Sequence, residues 1–124
     1  MDDKTAQSAS IANSILTSAS VDTIYRITGY VVVTRAATTS GSVTTTLTYT
    51  DADRNAVTTL TLLGFTSAGS IGTSPANSIT STGVLCLIAV IRAKAGTNIS
   101  YSTTYASSGA TTMQYAIHMR EEVL

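Results

Sequence analysis

The chain has 124 residues, enough for one domain with a modest core. Its formal net charge is zero and only 11% of its residues are charged, against about 25% in an ordinary soluble domain, while Ser and Thr fill about a third of the chain. There is no basic excess to neutralise phosphates, and one Phe with no Trp offers few stacking platforms, which sets nucleic-acid binding aside; one cysteine, Cys86, excludes an internal disulfide.

The opening Met1-Asp2-Asp3-Lys4 is acidic and polar and no apolar stretch of a signal peptide follows, so the chain as it stands is expected to fold in the cytosol. Residues 1–20 are mostly small and polar. Ile11 and Ile15 mark one helical turn, but no later turn continues the period. The segment reads as an extended N-terminal arm, suited to pairing with the sheet edge of a neighbouring subunit and ordered only on assembly. Its apolar residues Ile11, Ile15 and Leu16 are candidate interface residues.

Residues 21–124 read as one β-domain. From Tyr25 to Val33, one face carries Tyr25, Ile27, Gly29, Val31 and Val33, and the other carries Ile24, Arg26, Thr28, Tyr30 and Val32. That is a period of two with β-branched and aromatic residues. A loop at Ala36–Gly41 follows, and then Val43, Leu47 and Tyr49 alternate with Thr44, Thr46, Thr48 and Thr50 as a half-buried strand. Asp51–Asn55 turns the chain, and Val57–Leu63 returns to close a hairpin. Gly64–Asn77 reads as a long loop able to contact a partner, with Phe65 and Ile71 as further interface candidates. Ser78–Thr82 reads as a short strand. Val84–Ala93 is apolar on both faces, which predicts a fully buried strand; its run to Ile91 is too short to cross a bilayer, and no membrane partner is expected. After a turn at Ala95–Thr97, Ile99, Tyr101, Thr103 and Tyr105 alternate with polar neighbours. A turn at Ser107–Ala110 leads to Met113, Tyr115, Ile117 and Met119, which alternate with Gln114, Ala116, His118 and Arg120. Seven or eight strands and no convincing helix predict an all-β, antiparallel β-sandwich of jelly-roll-like type.

No group of residues carries a complete chemistry. Asp51-Ala52-Asp53-Arg54-Asn55 opens like a calcium loop, but Ala56 stands where the sharp turn needs Gly and Leu62 where a bidentate Glu is needed, leaving an Asx-stabilised turn or a partial cation site. His118 is the single histidine, and no nucleophile motif flanks any serine. Cys86 lies in the apolar run and reads as a small buried hydrophobe; with one histidine it cannot furnish a zinc site. The glycines of Gly64–Gly72 lack the phosphate-cradle pattern. Asn98-Ile99-Ser100 matches a glycosylation sequon within a strand. The six tyrosines suit core or interface packing, with a glycan-stacking face as the alternative. No catalytic, cofactor or metal site is therefore expected, and a surface of hydroxyls with few charges suits permanent packing against neighbours; part of that composition also follows from the fit of Thr to exposed strand positions.

Several stretches carry a family resemblance: "YRITGYVVVTRAATT" from Tyr25, the Tyr49-Thr50-Asp51-Ala52-Asp53 hairpin, "IRAKAGTNISY" from Ile91, and the closing Tyr115, His118, Arg120 and Glu122. Together they resemble a small β-domain of virion structural proteins in tailed bacteriophages and prophages. The resemblance covers most of the chain from Tyr25 on, and neither the arm nor the Gly64–Asn77 loop. It implies a jelly-roll-like fold and trimeric assembly. The resulting expectation is a non-enzymatic virion protein, made in the host cytoplasm. It would self-associate as a homotrimer and act as a capsid decoration protein that stabilises the head, with the major capsid protein or other virion proteins as partners. Two alternatives stay open: a tail or head-fibre tip that binds a receptor glycan, and a filament subunit that donates its N-terminal arm as a strand.

Overall fold

A computed structural model of the chain describes residues 1–62, 64–66 and 84–124. The expected strand at Ser78–Thr82, the interface candidate Ile71 and most of the Gly64–Asn77 loop lie outside the described residues. Nine strands are present among the described residues: β1 (Asp2–Gln7), β2 (Ser14–Ser18), β3 (Thr23–Arg35), β4 (Ser40–Asp51), β5 (Ala56–Thr61), β6 (Gly64–Thr66), β7 (Val84–Ala93), β8 (Asn98–Ser108) and β9 (Gln114–Val123).

All pairings are antiparallel, and the path runs β1-β9-β3-β7-β4-β8-β2, with β5 on β4 and β6 on β7. A single pair, Asp51 with Ala93, joins β4 to β7, so the path folds over there into two halves, β1-β9-β3-β7-β6 and β5-β4-β8-β2. Leaving β6 aside, the partners are nested: β1 with β9, β2 with β8, β3 with β7, and β4 with β5. A long antiparallel ribbon rolled on itself gives this nesting, which defines a jelly-roll sandwich.

The period of two predicted for the long strands sets the core. Tyr25, Ile27, Val31 and Val33 of β3 are buried, as are Val43, Leu47 and Tyr49 of β4, Ile99 and Tyr101 of β8, and Tyr115, Ile117 and Met119 of β9. Gly29 lies on the inner row of β3, and a Cβ there would stand 2.6 Å from Met119 Sδ and 3.3 Å from Leu87 Cβ. The missing side chain lets β9 and β7 close over the centre of the sheet. Met113, just before β9, is also fully buried.

Two expectations change. β7 is buried on one face only. Leu85, Leu87, Ile91 and Ala93 face the core, while Ile88 and Val90 are exposed. Cys86 is exposed with them, not buried. The apolar run correctly marks a strand, but a two-layer sandwich has only one interior, so the alternate residues face out. The second change concerns the arm. Residues 1–20 supply β1 and β2, both paired within the same chain. Leu16 is buried in the domain's own core and Ile11 packs against it, whereas Ile15 stays exposed. Alternation along β2 explains the split between Ile15 and Leu16.

A chain of hydroxyls holds the connection between β1 and β2. Ile11 N–H donates to Thr103 Oγ1 at 2.9 Å, Thr103 and Tyr115 share a buried hydrogen bond of 2.7 Å, and Tyr115 Oη donates to the carbonyl of Ala9 at 2.9 Å. Thr103 N–H also donates to the Ile11 carbonyl at 2.9 Å. Burial, only partly offset by the Thr103 bond, holds the Tyr115 hydroxyl above the usual tyrosine pKa, so it remains a donor. The start of β1 is fixed separately. The Asp2 carboxylate accepts from Ser14 Oγ, from Tyr101 Oη at 2.8 Å and from Lys4 Nζ at 3.0 Å. Burial opposes ionisation of Asp2, but these bonds and the Lys4 charge outweigh it and hold the carboxyl below its ordinary 3.8.

Tyr115→Phe keeps the ring and removes the hydroxyl, and is expected to cost about 1–3 kcal/mol, read as a lower denaturant midpoint at unchanged slope. Deleting residues 1–18 is expected to abolish the cooperative transition; a truncated chain that melts like the full one would separate the arm from the domain. The depressed Asp2 carboxyl contributes stability above pH 3.8 that is lost as pH falls through its lower folded value. Asp2→Asn is therefore expected to destabilise at pH 7 and to be nearly neutral near pH 2, and an equal cost at both pH values would contradict the role given to the charge.

Candidate functional site

The outer face of the β9-β3-β7 half is where unlike side chains meet. In register, Thr28 lies between Arg120 of β9 and Ile88 of β7, and Tyr30 lies between His118 and Cys86. β1 and β6 extend the second row, with Asp3 opposite His118 and Phe65 opposite Cys86 in backbone register. Around Gly29 two adjoining open depressions of about 230 and 290 Å³ share Thr28, Gly29 and Cys86. Tyr30, His118 and Arg120 wall the first; Leu87 and Ile88 wall the second.

Tyr30 is the exposed member of the six tyrosines, with 43% of its surface accessible. Tyr25, Tyr49, Tyr101 and Tyr115 are buried, and Tyr105 is half-buried and stacked on Tyr115 with centroids 5.9 Å apart. The Tyr30 ring stands 6.1 Å from the His118 ring, tilted by 43°. His118 Nδ1 lies 2.7 Å from Asp3 Oδ1, and since a carboxylate only accepts, Nδ1 carries the proton and Nε2 faces away from Asp3. Other charges on this face are paired: Arg26 with Glu122 and Arg92 with Asp53. Among the described residues Arg120 has no ion-pair partner.

The arrangement is an aromatic platform with one guanidinium, one imidazole and a hydroxyl around it. Cys86 and His118 line the same depression, but Tyr30 separates them in the row, and two strand spacings amount to about 9–10 Å. They do not form a thiol–imidazole dyad. The Asp51 turn behaves as an Asx turn: Asp51 Oδ1 accepts from Asp53 N–H at 3.0 Å and from Arg54 N–H at 2.9 Å. Among the interface candidates, Ile15 is exposed, Leu16 and Ile11 serve the chain's own core, and Phe65 sits in β6. Alternation alone assigns Thr28 and Tyr30 to one face of β3, and His118 and Arg120 to one face of β9. Only the register between these distant segments makes them neighbours, and no local pattern encodes it.

No protein-family model matches the chain, and no curated protein matches it. Its fold is similar to a solved structure described as the EclA C-terminal domain, a sugar-binding protein. The TM-score is 0.53 at 10% sequence identity, over 95% of this chain and 70% of that one. At that identity the likeness concerns the fold.

The outward placement of Cys86 is directly testable. In the native protein it is expected to react fully with a soluble thiol reagent without denaturant. A thiol that reacts only on unfolding would contradict the register of β7.

Proposed function

We propose that this chain is a non-enzymatic structural protein of a bacteriophage virion that self-associates, with capsid decoration as its role. One observation carries the reading. The four strands of the β5-β4-β8-β2 half hold a single charged residue, Asp51, at the turn. Strands β1, β3, β7 and β9 hold nine: Asp2, Asp3, Lys4, Arg26, Arg35, Arg92, Arg120, Glu121 and Glu122. On the charge-poor half Thr44 pairs in register with Thr104, Thr46 with Ser102 and Thr48 with Ser100, so hydroxyls run in rows across the sheet. Solubility favours mixed charge over a whole surface, so a hydroxyl-lined sheet whose one charge sits at its end turn fits a face that meets another protein. Hydroxyls there can hydrogen-bond across the contact without the desolvation cost of an ion. The sequence resemblance to virion β-domains supports the same reading, as does the jelly roll, a fold shared by viral capsid proteins and lectins.

A second reading, a glycan-binding module, is favoured by the exposed Tyr30 beside Thr28, His118 and Arg120, and by the likeness in fold to a sugar-binding domain. The filament reading loses its donated strand, because β1 and β2 are already paired at home.

Native mass spectrometry is expected to give a closed trimer, and Thr46→Glu with Thr48→Glu is expected to convert it to monomer without loss of fold. A wild-type monomer at all concentrations, or a trimer indifferent to both substitutions, would sink the proposed contact.

A further inference from the structure

We propose that the depression around Gly29 binds a carboxylate-bearing saccharide, with Tyr30 as its platform and Arg120 as its anion clamp. The inference rests on the glycan reading above and names the ligand class. The Tyr30 ring is half exposed on a strand that packing fixes from below, so it presents a rigid apolar surface to the C–H face of a sugar ring. The polar groups at the rim are the Arg120 guanidinium, the His118 imidazole with Nδ1 already held by Asp3, and the Thr28 hydroxyl. Guanidinium only donates, and a hydroxyl can donate. The nearest carboxylates are engaged: Asp3 with His118, Glu122 with Arg26, and Glu121 with the N-terminal ammonium. Neutral sugars present hydroxyls that both donate and accept, and sites for them need acceptors as well as donors. His118 Nε2 and the Thr28 and Tyr30 hydroxyls can meet that need; what favours an acid is Arg120, a cation with no ion-pair partner among the described residues. A carboxylate matches the planar fork of Arg120 with two parallel hydrogen bonds.

The two depressions adjoin at Thr28, Gly29 and Cys86, so a second sugar ring can continue toward the exposed Ile88. Their volumes are at the small end for ligand clefts, and the site is open, which implies weak affinity per site and reliance on many copies. The site lies on the charge-bearing half, so it remains accessible when the hydroxyl-lined half is covered.

The test is a titration of the full chain, followed by saturation-transfer and chemical-shift NMR, with a glucuronate-containing oligosaccharide and the matched neutral glucose oligosaccharide. The uronate is expected to bind at least about tenfold more tightly than the neutral sugar, a difference of about 1.4 kcal/mol. Arg120→Ala and Tyr30→Ala are each expected to lose about tenfold or more, with unchanged melting temperature and native mass. Uronate binding that survives Arg120→Ala would overturn the proposal. Equal binding of both sugars would overturn the acidic class while leaving the glycan reading in place. No binding of either would overturn both.

Discussion

The fold depends on a buried relay of hydroxyls. Residues between β1 and β2 pass from one half of the sandwich to the other, and on that passage the backbone leaves the sheet ladder. Its polar groups must still be satisfied. Thr103 takes the Ile11 amide, and Tyr115 gives its proton to the Ala9 carbonyl, so two side chains from β8 and β9 replace the missing ladder. The two hydroxyls also satisfy each other. Ser10 Oγ accepts the Tyr105 amide at 2.9 Å, and the Asp2 carboxylate ties β1 to Tyr101 of β8 and Ser14 of β2. With the passage fixed, β1 reaches β9 and β2 reaches β8, which completes the nested pairing of the roll. The same placement brings Asp3 to His118 and so orients one wall of the depression.

Composition then divides the molecule. Nearly all charge on the strands lies on one half, and rows of Thr and Ser on the other. A low overall charge, evenly spread, would be a weak surface for any purpose. Concentrated on one sheet, the charges keep that sheet in water and leave the opposite sheet suited to a protein contact. An assembly built on the hydroxyl face would present many copies of the Tyr30 depression outward. In a multivalent array, weak sites of that kind gain from number what each lacks in affinity. The structural and glycan readings are therefore compatible on one molecule.

Much of the fold is legible in the sequence. Strands β3, β4, β8 and β9 announce themselves by alternation because each has one dry and one wet face. β7 announces a strand but misleads about its outer face, since Ile88 and Val90 look like core residues and are exposed. β1 and β2 are hidden because they are short edge strands rich in Asp, Lys, Ser and Thr, held by backbone pairing and side-chain hydrogen bonds with Leu16 as their one buried side chain. The depression is hidden for another reason: Thr28 and Arg120 become neighbours only through long-range register, which two ladders fix over their whole length.

The first eighteen residues belong to the jelly roll itself, as β1, β2 and a connection locked by the Thr103–Tyr115 relay. Amide hydrogen exchange on the free, unassembled protein reads this out residue by residue. Protection is expected for the Ile11 amide and for the β1 and β2 amides that pair with β9 and β8, collapsing together in Tyr115→Phe. Free exchange throughout residues 1–18, with β3 and β9 still protected, would contradict it and return the segment to an arm that orders only on a partner.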